Sequence, residues 1–165
     1  NFIFLSIYIG YSMGCAPIIG YHYGAGNKDE LKNLFKKSLR IILVMSIVLT
    51  VAAEALARPL SMIFVSYDQE LLEMTTYAFA VYSVSFLISG YNIYASSFFT
   101  ALNDGFTSAL ISFCRTLIFE VIAVLVLPVL FGAYGIWYAV ITAEVFALML
   151  SVFFLARNRK KYGYI

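Results

Sequence analysis

Five apolar stretches fill almost the whole chain, at about residues 2–21, 39–64, 76–100, 106–131 and 134–156. Each is close to the roughly 20 residues that a helix needs to cross a hydrocarbon core about 30 Å thick. None shows the strict two-residue alternation of a barrel strand, and a chain in lipid must satisfy its own backbone, so the stretches predict transmembrane helices. Composition closes the alternatives. With 62% of its residues apolar and only 12% charged, the chain cannot cover a water-facing surface as a soluble domain does. A net charge of +2 and two isolated cysteines leave no case for a nucleic-acid binder or a disulfide scaffold. The expected fold is an all-α integral membrane bundle.

The cations set the orientation. Lys28, Lys32, Lys36, Lys37 and Arg40 crowd an expected basic loop over residues 24–40, and Arg157, Arg159, Lys160 and Lys161 crowd a tail over residues 157–165. Four crossings separate the two clusters, so they share one side, which the positive-inside rule makes the cytoplasm. Asp68, Glu70 and Glu73 fall on the other side, beside Tyr67, Tyr134, Trp137 and Tyr138, which suit an interfacial belt. The chain opens on Asn1 with no basic leader region, as a segment of a longer protein would.

Charges inside a bilayer are expensive and need a reason. Four lie within the apolar stretches: Glu54, Arg115, Glu120 and Glu144. Glu54 precedes Arg58 by four residues, as expected of a pair at the headgroups. The other three lie deeper. At 1.5 Å per residue, Arg115, Glu120 and Glu144 are roughly 14, 21 and 18 Å from the ends of their helices, near mid-membrane. The short turn 132–135 makes the last two helices antiparallel neighbours, so Glu144 is the expected partner of Arg115. Positions 115 and 120 stand roughly 140° apart on an ideal α-helix and form no same-face pair. Two readings follow. One is a buried ion pair that locks two helices together. In the other, one arginine against two glutamates leaves the site one proton or one cation short of neutral, as an ion-coupled exchanger requires.

On the third stretch Tyr82, Ser85, Ser89, Asn92 and Ser96 recur at three- and four-residue spacing, a polar stripe on an apolar helix. Such a stripe serves helix-to-helix hydrogen bonding, or, with Tyr91 and Tyr94, the wall of a wet cavity for bulky amphipathic ligands. Gly10 and Gly14 form one GxxxG pair, expected to pack helices closely. Cys15 and Cys114 read as packing residues. His22 has no metal-ligating neighbours, and nothing in the chain points to a cofactor or to an enzyme's catalytic set.

The run Gly14-Cys-Ala-Pro-Ile-Ile-Gly20-Tyr-His-Tyr-Gly24-Ala-Gly-Asn27, with the basic stretch after it, resembles the repeat signature of the multidrug and toxic compound extrusion (MATE) transporters. The segment Ile111-Ser-Phe-Cys-Arg115-Thr-Leu-Ile, then Leu127-Pro128, Phe131-Gly132, Tyr134-Gly135-Ile-Trp137 and Ala143-Glu144, resembles the last two helices of that family's bacterial drug-exporter branch. The resemblance implies two six-helix lobes, of which this chain supplies helices eight to twelve, most of the C-terminal lobe, with the N-terminal lobe as its missing partner. It also implies efflux of cationic amphiphilic small molecules in exchange for protons or sodium, by alternating access in the cell membrane. Asn92 stands where the sodium-coupled branch carries an aspartate, and His22 where an asparagine is expected.

Together these readings assign Glu120 and Glu144 to charge balance in a cavity and Arg115 to setting their ionisation. Tyr91 and Asn92, with Ser89 beside them, form the expected substrate wall. A flippase for lipid-linked oligosaccharides shares the bundle architecture, but a pyrophosphate cargo calls for a more cationic cavity than one arginine.

Overall fold

The structure, a computed structural model, describes residues 2–165, leaving out the side chain of residue 133. The described residues form seven α-helices: α1 (Phe2–Gly24), α2 (Lys28–Val65), α3 (Gln69–Ser83), α4 (Phe86–Ala101), α5 (Gly105–Phe113), α6 (Glu120–Phe131) and α7 (Gly135–Tyr162). A π-helical turn, Cys114–Phe119, joins α5 to α6, and a 3-10 turn, Gly132–Tyr134, joins α6 to α7. Four units are long and apolar enough to cross a membrane: α1, α2, the continuous Gly105–Phe131 and α7. Counted as one span, the bent pair α3 and α4 brings the number to five.

Each boundary that differs from expectation has a local cause. The basic stretch 24–40 is not a loop. Asn27 caps a helix there, its side chain accepting from the Glu30 amide at 3.2 Å, and Asp29 and Glu30 suit the positive end of the helix dipole. The helix then carries the lysines on its outside and buries Leu31, Phe35, Ser38 and Ile42 on one face. Pro59 lies inside this helix, and α2 continues to Val65. Bilayer helices tolerate such a proline because neighbouring groups re-satisfy the freed backbone.

The third span bends by 44° between Ser83 and Phe86, with no proline or glycine at the break. Serines make it. Ser83 Oγ donates to the Ala80 carbonyl and Ser85 Oγ to the Tyr82 carbonyl, both at 2.7 Å, and such back-bonding bends helices. The tail is also ordered beyond expectation. α7 runs to Tyr162, Gly163 takes the left-handed conformation at φ 72°, and Tyr164 turns back under the bundle with its hydroxyl on the Leu155 carbonyl.

Packing differs along the bundle. The basic end holds an aromatic core in which Phe35, Phe98 and Tyr164 pack ring to ring, beside Ile19, Leu31, Phe99 and Tyr162. Deeper contacts use small residues instead: Ala53, Ala57, Ser46 and Ser61 on α2, and Ala123 against Ala139 and Ala143. Without a hydrophobic driving force between helices in lipid, close approach of small residues supplies the contact energy. Gly135 is the extreme case, since a β-carbon there would collide with the Leu127 carbonyl and the Pro128 nitrogen. Gly10 and Gly14 do not serve this purpose. Nothing described lies within 4 Å of a β-carbon on either, so their face is not covered by another helix of this chain.

Candidate functional site

The site forms where α4, the π-helical turn and α7 meet. Glu144 is buried, with 6% of its surface exposed, and its carboxylate is fully occupied. Arg115 donates from Nε to both oxygens at 3.0 Å and from a terminal nitrogen to Oε1 at 2.6 Å. Ser89 Oγ donates to Oε1 at 2.9 Å and Asn92 Nδ2 to Oε2 at 2.7 Å. Asn92 in turn also donates to the Glu144 carbonyl and accepts from Ser151 Oγ at 3.0 Å. Both carboxylate oxygens of Glu144 and both side-chain polar atoms of Asn92 have partners, the condition under which a buried charge is tolerated.

The expected Arg115 and Glu144 pair is therefore present, and two residues of the expected polar stripe serve it. Ser89 and Asn92 lie behind Glu144 rather than on a substrate wall, with 1% and 0% of their surfaces exposed. Tyr91 packs against the aromatic core around Phe35 and Tyr94. Ser89 and Asn92 are thus covered within this chain, because period-three spacing shows which residues share a face but not what covers that face.

Glu120 behaves differently. It is exposed, and no hydrogen bond or ion pair reaches it among the described residues. It lines a cavity of about 290 Å³ with Arg115, Thr116, Glu144 and Tyr82, closed on its apolar side by Leu5 and Val140. Arg115 and Glu120 thus share one cavity, against the 140° separation expected from ideal geometry. The π-helical turn is the reason. Its hydrogen bonds close over five residues instead of four, which under-rotates the chain and brings positions five apart toward one face.

A second cavity, of about 310 Å³, is lined by Phe79, Tyr82, Phe86 and Trp137 with Thr75 and Ala78. Tyr82 borders both cavities. Trp137, Val140 and Glu144 stand at i, i+3 and i+7 on α7, so one helix face runs along both cavities. The composition showed these aromatic residues, but their convergence from three helices left no signal in the order of the residues.

The fourth intramembrane charge has another partner. Glu54 Oε1 accepts from Ser83 Oγ at 2.6 Å, at the bend between α3 and α4, and no ion pair joins it to Arg58 among the described residues. His22 meets Tyr21 edge to face, with ring centroids 5.3 Å apart. At the basic end, Asp104 caps α5 by accepting from the Thr107 amide and takes a 2.7 Å hydrogen bond from the Tyr162 hydroxyl, with Lys161 Nζ at 3.9 Å. Burial pushes the Asp104 carboxyl upward, but the bonds from Tyr162 and Thr107 and the nearby Lys161 outweigh it, leaving the group below the usual carboxylate range.

Comparison with known proteins agrees with this architecture. The chain is 28% identical over 153 residues to the multidrug export protein MepA of Staphylococcus aureus strain MSSA476, covering 90% of this chain and 33% of that protein. It is 26% identical over the same length to MepA of the bovine strain RF122. The chain thus spans about a third of the length of the curated relatives it matches. In fold it superposes on the MATE transporter VcmN of Vibrio cholerae in its bent form, with a TM-score of 0.87 and 17% identity, covering 98% of this chain and 36% of that one. The MatE family model matches residues 1–126, across the first three spans and into α6. With most of its length matched, the chain, a multi-pass membrane bundle, belongs to the MatE family.

Proposed function

We propose that the chain is most of the C-terminal lobe, helices eight to twelve, of a secondary multidrug efflux transporter in the plasma membrane. It exchanges cationic amphiphilic compounds for protons or sodium, with the basic end of the bundle in the cytoplasm. One observation carries this reading: among the described residues, Glu120 is an uncompensated carboxylate on a cavity wall, while the one arginine lining that cavity is spent on Glu144. The site therefore holds one negative charge that a cation or a proton neutralises, but not both together. The family membership and the likeness to the multidrug export protein MepA support the export of drugs.

The roles of the two glutamates separate on this geometry. Glu144, enclosed by Arg115, Ser89 and Asn92, positions the guanidinium and ties α4 to α7. Glu120 meets the cation. The aromatic cavity next to it, sharing Tyr82, accepts the flat apolar body of the same compound, since rings attract both aromatic surface and positive charge. A pyrophosphate cargo fits poorly, because the arginine is already neutralised.

The test is ethidium efflux by the full-length protein in proteoliposomes under an imposed pH or sodium gradient. Replacement Glu120→Gln is expected to abolish gradient-driven efflux. Undiminished efflux in that variant would remove Glu120 from the exchange.

A further inference from the structure

From the basic end to the charged cavity, one helix face carries Asp104, Ser108, Ser112, Thr116 and Glu120, each four residues after the last. Two acids thus bracket three hydroxyls along a stretch of roughly 24 Å at 1.5 Å per residue. α4 adds Ser96 and Thr100 beside them. The hydroxyls are joined: Thr100 Oγ1 to Ser108 Oγ at 2.7 Å, Ser108 Oγ to Ser96 Oγ at 2.9 Å, and Ser96 Oγ to Ser112 Oγ at 2.7 Å. In each of these three contacts either oxygen can be the donor, so the chain can run in both senses. Thr116 continues the file with its hydroxyl on the Ser112 carbonyl and lines the cavity beside Glu120.

Helix-to-helix adhesion does not explain the whole file. Adhesion accounts for the contacts of Ser96 with Ser108 and Ser112, but Thr116 and Glu120 lie exposed beyond them, on the wall of the charged cavity. Polar groups on a bilayer helix face water or protein rather than lipid. The continuation of the file past the α4 contact, to an unpaired carboxylate, is what a relay requires.

We propose that this file is a proton path connecting Glu120 to the basic end of the bundle. It rests on the assignment of Glu120 as the exchanging carboxylate. A proton leaving the Glu120 carboxyl binds a lone pair of the next oxygen, which releases the proton it carried, and so on along the hydroxyls. One proton emerges into water at Asp104, and every hydroxyl ends with the proton count it began with. Side chains four apart on a helix sit about 5–6 Å apart at their β-carbons, so one water completes each step from Ser112 to Thr116 and from Thr116 to Glu120, and one water likewise completes the step from Ser108 to Asp104. The charged and titratable groups facing Glu120 are Arg115, Glu144 and Tyr82, and those facing Asp104 are Tyr162 and Lys161.

The experiment uses the full-length protein in proteoliposomes enclosing a pH-sensitive dye, with ethidium as cargo. Ser112→Ala, at an exposed position that packing does not constrain, and the double variant Ser108→Ala with Ser112→Ala are compared with Ser112→Thr and with Glu120→Gln. Interrupting the path is expected to slow proton-driven ethidium efflux and the linked pH change about tenfold or more, a loss of rate without loss of binding. Ethidium affinity at fixed pH is expected to stay unchanged in the alanine variants, and Ser112→Thr to restore the rate. Wild-type rates in both alanine variants, with Glu120→Gln inactive, would overturn the path and leave the site intact. Wild-type rates in Glu120→Gln would overturn the site and the path with it.

Discussion

Arg115 and Glu144, 29 positions apart in the chain, meet at 2.6 Å with the carboxylate enclosed on its other sides by Ser89 and Asn92. The relationship is structural before it is chemical. The arginine comes from a π-helical turn and the acid from the helix packed against it, so the pair fixes the register of the two last spans. Because it consumes the one cation lining the cavity among the described residues, Glu120 is left without an ion-pair partner there.

Removing one partner leaves the other charge buried. Glu144→Gln is expected to cost about 3 kcal/mol or more of stability, read as a large fall in the thermal midpoint of the detergent-purified full-length protein. Swapping the two residues, Arg115→Glu with Glu144→Arg, should recover part of the loss. A Glu144→Gln protein as stable as wild type would show that the pair does not hold these helices.

Glu120→Gln should barely move stability, by about 0.5 kcal/mol or less, because no partner is lost at an exposed position. The same variant should weaken ethidium binding about tenfold, because it removes the negative charge that faces the cation. Equilibrium binding followed by fluorescence checks this, and an unchanged affinity would count against Glu120 as the group that meets the cargo.

At Gly135 the helices touch backbone to backbone. Gly135→Ala therefore forces α6 and α7 apart, at an expected cost of about 1–3 kcal/mol, visible in thermal unfolding. Gly10→Ala, on an open face of this chain, is the contrasting substitution, and separation of the two effects is the expected result.

The Asp104 cluster predicts an acid-sensitive contact. A carboxyl held below its ordinary value in the folded protein adds stability above the unfolded-state value of 3.8, and that stability is lost as pH falls through the lower folded value. Stability should therefore drop on acidification below about pH 4, where carboxylates titrate. Tyr162→Phe, which removes the 2.7 Å bond, should reduce that drop and cost about 1 kcal/mol at neutral pH. Identical acid profiles for the two proteins would dissociate Asp104 from the effect.

Much was legible in the order of the residues alone. Five apolar stretches dictated five spans, since a bilayer leaves a backbone no other way to satisfy its hydrogen bonds. The brevity of the 132–135 turn made the last two spans neighbours, and that alone paired Arg115 with Glu144. The bend between α3 and α4 and the helical start of α2 depended on single side-chain bonds, by Ser83, Ser85 and Asn27, which hydropathy does not register.

Where Glu120 lies relative to the Arg115 and Glu144 pair was decided by the tertiary structure. An ideal helix sends Arg115 and Glu120 to different faces, and one π-helical turn brings both to the same cavity. Likewise, identical polar spacing on α4 gave no sign that Ser89 and Asn92 would be consumed by a buried acid. Periodicity in a sequence records which side chains share a face of one helix. What that face meets is decided by the twist and approach of the others, and there the charge of a site is settled.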